Sequence, residues 1–368
     1  MNDVDTGVLI GRRYQGGEMS MCVRHVMMIA LAAGSAWWLA AAESSPLPWT
    51  PPEDISPFLG DPDRGPEPSD QHRQQSDRQI PTIEVSWPIN VGNPFTDWGH
   101  FRLDRRVTGA RRGPGSDIRM DVPSRNRDEV AAYHGRFTTR AWGDGALLRY
   151  SIMVPDPQEA PRPEGGYPLV ISCPGAGGVG EEGLASWRLH GAAVWANDHY
   201  RRQMPAVVVI LHPQHRTISY TGEDSEENWG IKTLPAFDAY LELIDHYAAA
   251  DGIDPRRISV YGHSMGGSSV WALVRARPRL FAAAVPLAGS PFSQAADYPL
   301  LNGTPMWIMM GNNDPWNGSK TYLMAYRAMR AAGHQQVRFW EIQDIGHSGS
   351  ALTIMPVHQW MWSQVREE

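Results

Sequence analysis

Cysteine is almost missing from this chain: its 368 residues hold two, Cys22 and Cys173. Cys22 falls in a segment expected to be removed, which leaves one thiol and no internal disulfide. CxxC pairs and an HExxH run are absent, and His25, His72, His100 and His134 are scattered without ligand spacing, so neither a metal nor another cofactor is expected. There is no basic field either. Lys and Arg total 33 against 40 Asp and Glu, a formal net charge of −7, and nothing in that balance points to nucleic acid. No internal repeat is found, and the longest apolar run, Val26 to Ala42, sits at the short edge of what spans a bilayer.

That run follows Arg24 and His25 and ends in Ala40, Ala41 and Ala42, the layout of a secretory signal peptide cleaved after Ala42. An uncleaved anchor is the competing reading. Export implies a secreted or periplasmic protein with no membrane association once the signal is cut. The preceding residues carry Asp3, Asp5 and Glu18, which suit no signal, so Met19 or Met21 is read as a candidate start. From Glu43 to about Gln79 the chain is dense in Pro, Asp, Gln and Ser, with too little apolar surface to offset its ordering entropy. One short strand fits within residues 80 to 98. Eight arginines from Phe101 to Arg127, among acids, Gly and Pro, are read as a solvated irregular region. The expected organisation is an extension and signal over 1–42, a Pro-rich and irregular region over 43–133, and one regularly folded domain over 134–368.

From about Tyr133 the texture becomes regular. Arg136–Ala141 and Leu147–Val154 read as strands joined by the turn WGDG. Tyr167–Ser172, Ala206–Leu211, Ile258–Tyr261, Ala282–Leu287, Met306–Met310 and Val337–Ile342 are short apolar runs suited to strands buried on both faces. Helical segments are expected at Ser186–Asn197, Thr233–Ala250, Ser268–Ala276, Lys320–Ala332 and Pro356–Val365. The alternation predicts an α/β fold, a mostly parallel sheet of about eight strands with helices on both faces.

In such sheets ligands gather at the carboxyl ends of the strands. The sequences just beyond those ends are CPGAGG, HSMGG, GNNDPW and IGHSG. GHSMG between a strand and a helix reads as a nucleophile elbow, a turn so sharp that only small residues fit two places either side of Ser264. A serine hydroxyl needs a base, and the base needs a carboxylate to hold its tautomer. His347 supplies the base. Two acids are available, Asp314 and Asp344, and Asp314 is preferred because it has its own loop after a strand. The CPGAGG loop offers backbone N–H groups for a negative oxygen, Ala176 together with Met265 of the elbow. Gly267 is read as a site of close helix packing, and Cys173 as a small buried residue.

GIDPRRISVYGHSMGG, PMWIMMGNNDPWN, RAMRAAGHQQVRFWEIQDIGHSG and PLVISCPGAGG together resemble the α/β-hydrolase superfamily. Within it the chain resembles secreted carboxylesterases of the polyhydroxybutyrate-depolymerase and feruloyl-esterase type, which are related to the prolyl-oligopeptidase catalytic domain. The likeness runs from near His134 to the end. It implies Ser264 as nucleophile, Asp314 as acid, His347 as base, and Ala176 with Met265 as oxyanion donors. One departure stands out: Pro174-Gly175 occupies the place where the family commonly has His-Gly, which leaves the choice of Ala176 over Gly177 open.

No charged cluster marks a substrate pocket. Trp187, Trp195, Trp229 and Trp316 lie in or beside the loops expected near the site and are candidates to stack on a sugar or an aromatic acid, although most of the 15 tryptophans belong to the core. The expected partner is a small-molecule or polysaccharide-linked ester, such as an acetyl or feruloyl ester of a plant polymer. A peptidase of the same mechanism is the alternative, with no propeller domain read before the catalytic region. A noncatalytic binding protein on a hydrolase scaffold is the third, and its sign would be a broken triad.

Overall fold

The computed structural model describes residues 59, 92–108, 135–180, 192–221, 230–292, 295–316 and 318–367. The expected signal, nearly all of the Pro-rich region, Trp187 and Trp229 lie outside the described residues. Among those described, the regular strands are β1 (Gly99–Leu103), β2 (Thr138–Trp142), β3 (Leu148–Met153), β4 (Tyr167–Cys173), β5 (Val207–Pro213), β6 (Ile218–Thr221), β7 (Gly230–Thr233), β8 (Ile253–His263), β9 (Ala283–Leu287), β10 (Met306–Gly311) and β11 (Val337–Ile342). The α-helices are α1 (Ala192–Ala196), α2 (Asp198–Gln203), α3 (Pro235–Ala248), α4 (Met265–Ala276), α5 (Gly318–Ala331) and α6 (Met355–Ser363).

Nine strands form one sheet in the order β1-β11-β10-β9-β8-β4-β5-β3-β2, and β6 with β7 makes a separate hairpin. From β1 to β5 in that order neighbouring strands run parallel, and β3 is antiparallel to both β5 and β2. The apolar composition of the central strands explains why they lie inside: YPLVISC, VVVILHP, AAVPL, MWIMMG and VRFWEI are buried at every position. β2 is an exposed edge, joined to β3 through a turn in which Gly143 and Gly145 take positive φ. α3 begins with Pro235 in its first turn and buries Ala236, Phe237, Ala239, Tyr240, Leu243 and Ile244, one stripe at helical spacing. α4 buries its residues from Met265 through Val274 on all sides, so it is a core helix.

Three expectations are corrected. First, the region read as irregular holds a strand: Gly99–Leu103 pairs in parallel with β11 from Gly99↔Arg338 to Leu103↔Ile342 and brings the expected sheet of about eight strands to nine. Phe101 and Leu103 are fully buried there. The cause is tertiary: the Arg338 guanidinium lies over the Trp98 ring at 4.9 Å and the Trp307 ring at 4.2 Å, and its Nε donates to the Asp97 carbonyl at 2.8 Å. Burial holds that guanidinium down, at about 9. Trp340 Nε1 donates to the Pro94 carbonyl at 2.9 Å, and Glu341 accepts from Arg102 Nε at 3.2 Å and pairs with His100 Nε2 at 3.0 Å. Second, the helix expected from Ser268 starts at Met265, immediately after the serine. Third, a second short helix, α2, follows at Asp198 where none was expected: Asn197 Oδ1 accepts the Tyr200 N–H at 3.4 Å and so favours a new start.

Candidate functional site

β4, β8, β9, β10 and β11 are parallel neighbours, so the loops that follow them emerge on one edge of the sheet. β8 ends at His263, and Ser264 then takes φ 59° and ψ −124°, a conformation L residues rarely adopt and that costs about 1–3 kcal/mol unless its surroundings enforce it. Here they do. Ser264 N–H donates to the Leu287 carbonyl at 2.9 Å, and its carbonyl accepts the Ser268 N–H at 3.0 Å.

The glycines around it are there for close approach. A Cβ on Gly266 would come 2.1 Å from the Cys173 carbonyl oxygen, and one on Gly262 would come 2.6 Å from the Gly266 carbonyl carbon. One on Gly267 would come 2.4 Å from the Leu287 oxygen, so this residue does bring α4 onto its neighbour. Gly289, which sequence reasoning missed, is as demanding: its Cβ would lie 2.1 Å from the Ser268 nitrogen and 2.5 Å from the Ser264 oxygen. Its carbonyl accepts the hydroxyl of the buried Tyr322, whose ionisation is pushed up by burial and by the Asp314 charge. The only trace of Gly289 in the sequence is a small-residue run, LAGS, directly after a strand.

His347 and Asp314 arrive from the next loops. His347 Nε2 lies 2.8 Å from Ser264 Oγ, and its Nδ1 lies 2.7 Å from Asp314 Oδ2. Asp314 is 1% exposed, and its other oxygen accepts the Trp316 N–H at 2.8 Å. An ionised carboxylate can only accept, so Nδ1 carries the proton and Nε2 presents its lone pair to the serine hydroxyl. The His347 side chain keeps 21% exposure, enough for a reactant to approach. The His263 ring lies against the His347 ring with centroids 4.8 Å apart, a neighbour that sequence reasoning also missed although it stands beside the serine. Asp344 is not the partner of Nδ1. It holds a left-handed turn, φ 58°, and its N–H donates to Asn312 Oδ1 at 2.8 Å.

Ala176 opens a short 3-10 turn, Ala176–Gly178, just after β4, and Met265 is the first residue of α4, so its N–H has no intrahelical acceptor. The contact of Gly266 with the Cys173 and Pro174 carbonyls brings the start of α4 against the loop that leads to Ala176. A Gly180 N–H bond to the Pro213 carbonyl, 2.9 Å, ties the far end of that loop to β5. Cys173 is fully buried, and burial pushes its thiol well up, so it is no second nucleophile.

Of the tryptophans, Trp316 is 60% exposed and directly follows the acid loop. Trp195 is corrected: it is buried and packs edge-on against His358 at 5.2 Å, part of the core. Among the described residues no group of three or more His, Cys, Asp or Glu is placed to hold a metal ion. The arrangement can pull a proton from Ser264, hold the resulting imidazolium beside a buried carboxylate, and offer helix-start and loop amides to a developing anion.

Residues 223–339 match the model of the prolyl oligopeptidase family, a span that holds Ser264, Met265 and Asp314 and stops before His347. A search of curated proteins gives no match. Among solved structures, a thermostable esterase is 22% identical with a TM-score of 0.54, covering 64% of this chain and 64% of its own. A ferulic acid esterase is 15% identical, TM-score 0.39, covering 62% of this chain and 98% of its own. The dipeptidyl peptidase 4 of Porphyromonas gingivalis is 16% identical, TM-score 0.43, covering 62% and 35%. The chain therefore spans less than two thirds of the thermostable esterase and about a third of the peptidase. The mostly parallel nine-stranded sheet, the family match and the likeness to the thermostable esterase make the fold that of the α/β-hydrolases.

Proposed function

We propose that this chain, an α/β-hydrolase by fold, is a serine hydrolase that cleaves carboxylic esters through an acyl-enzyme on Ser264. One observation carries the reading: the line from Ser264 Oγ through His347 to the buried Asp314, at 2.8 and 2.7 Å. In the first half-reaction the Ser264 proton passes to His347 Nε2 as Oγ bonds to the ester carbon. The negative oxygen turns to the Ala176 and Met265 amides, an interaction worth about 3–4 kcal/mol per donor in comparable enzymes. Asp314 stabilises the imidazolium. The intermediate then collapses, the C–O bond to the alcohol breaks, and His347 Nε2–H protonates the leaving oxygen. Water repeats the sequence, giving the acid and restoring Ser264.

The acyl or alcohol group is read as acetyl or feruloyl on a plant polysaccharide, and the exposed Trp316 beside the acid loop supports an aromatic or sugar surface there. Trp187 and Trp229 are proposed to join it. Arg24, His25, the apolar run and Ala40–Ala42 support export to the periplasm or medium, with the signal ending at residue 42 and the catalytic domain reached after a linker. A peptidase of the same mechanism is the second reading, favoured by the match to the prolyl oligopeptidase family. A panel of p-nitrophenyl acetate, p-nitrophenyl butyrate, a feruloyl ester and a peptide amide separates them. Ester turnover is expected, with its loss in Ser264→Ala. Amide cleavage with silent esters would select the peptidase, and normal ester turnover by Ser264→Ala would remove the assignment.

A further inference from the structure

The acid and the base of this site stand on two different loops, one after β10 and one after β11, and each loop is short. Their relative position decides whether the His347–Asp314 bond has its 2.7 Å length, and small displacements there are costly, since reacting groups must be held within roughly half an ångström. We infer that Asn312 is the residue that sets this position, a positioning residue that acts through the turn at Asp344 and rests on the reading of Ser264, His347 and Asp314 as the reacting line.

Asn312 is buried, two residues before Asp314, and both its N–H and its side chain reach across to the other loop. Its backbone N–H donates to the Ile342 carbonyl at 2.9 Å. Its Oδ1 accepts the Asp344 N–H at 2.8 Å, and its Nδ2 donates to Gln343 Oε1 at 3.1 Å. The neighbouring Asn313 N–H adds a bond to the Ile345 carbonyl at 3.0 Å, and Gly311 approaches so closely that a Cβ there would be 2.1 Å from the Ile345 oxygen. The key group is Oδ1. Asp344 has φ 58°, a left-handed conformation that aspartate adopts more readily than most residues and that still lies above its commoner negative-φ states. The Asp344 N–H enters that turn, and the two residues that follow, Ile345 and Gly346, lead to His347. Clamping this amide from the acid loop fixes where the imidazole emerges relative to Asp314.

Without the clamp, the turn can relax toward commoner φ values and carry Nδ1 away from Asp314, while the substrate surface at Ser264 and α4 is untouched. Asn312→Ala is therefore expected to lower kcat by about 10- to 100-fold with KM changed less than about threefold. A second readout does not depend on turnover: the downfield proton resonance of His347 Nδ1–H, identified by its absence in His347→Ala, should disappear or move in Asn312→Ala. Asn312→Asp keeps an acceptor for the Asp344 N–H, and Gln343 can turn its amide to donate to it. This variant should recover most of the rate and the resonance, and it keeps the test open if Asn312→Ala does not fold. Asn302→Ala controls for stability, because Asn302 ties a loop before β10 to the Ala332 carbonyl at 2.9 Å, away from the site. It should lower the melting temperature and leave kcat alone. A folded Asn312→Ala with parental kcat and an unmoved resonance overturns the inference, as does an Asn312→Asp as impaired as the alanine variant. If the parent neither hydrolyses esters or amides nor labels with a fluorophosphonate, the reading of Ser264 fails, and the resonance still decides the role of Asn312.

Discussion

At the residue scale two carboxylates compete for one imidazole, Asp314 and Asp344, and sequence spacing alone leaves both in play. The geometry separates them: Asp314 is buried with one oxygen on His347 Nδ1, while Asp344 serves the turn through its backbone. Asp314→Asn should leave the fold intact and reverse the favoured tautomer, with kcat for p-nitrophenyl esters falling about 10³- to 10⁴-fold. Asp344→Asn keeps the backbone N–H that bonds Asn312 Oδ1, and asparagine tolerates the same positive φ, so it should stay within roughly fivefold of the parent. Equal losses in the two variants would contradict this assignment. That Ser264, His347 and Asp314 would meet was legible because each proposed role leaves a local mark, glycines about a serine and a histidine or aspartate just past an apolar run. Gly289 leaves only a small-residue run, and His263 and Asn312 leave none. Their importance comes from what approaches them in space, and a glycine in LAGS looks like any other.

Among the elements, β1 was hidden from sequence. Its neighbours include arginines and acids, and GHFRL offers only two large apolar residues, Phe101 and Leu103, too little to stand out from a solvated stretch. What makes it a strand is the waiting edge of β11 and the guanidinium of Arg338 held between two indoles. The central strands were legible because a strand buried on both faces is written as an uninterrupted apolar run, whatever its partners. The β6–β7 hairpin, with mixed polarity and four residues a side, carries no such mark. If β1 is integral, Phe101→Ala should lower the free energy of unfolding by about 3–5 kcal/mol, as for other buried aromatic truncations. Urea denaturation measures this, and an unchanged midpoint would mean that β1 only rests on the surface.

For the whole molecule, stability should depend on pH through two buried histidines. His334 bonds to the Thr304 carbonyl and His358 to the Leu352 carbonyl, and burial pushes both down to about 4 from an ordinary value of 6.5. The unfolded chain takes up these protons near 6.5, whereas the folded chain resists them until about 4. Between those values the unfolded state binds more protons, so stability is complete above 6.5 and falls as the pH drops toward 4. Each tenfold difference in proton affinity between the folded and unfolded chains is worth about 1.4 kcal/mol, so the two sites together contribute several kcal/mol at most. Urea midpoints taken from pH 7 to pH 4 should decline across this window, and a flat profile would rule the mechanism out.

The pairing of β1 with β11 also has a meaning for synthesis. Arg102 and Glu341, which meet across these strands, are 239 residues apart, so the last parallel strand must leave the ribosome before the first can find its place. Until then Phe101 and Leu103 have nothing to cover them, and the β11 edge, once made, is open to any other extended segment. The nascent chain is thus most vulnerable to wrong strand pairing in its final stage of translation, and a C-terminal truncation that removes β11 would leave that state permanent.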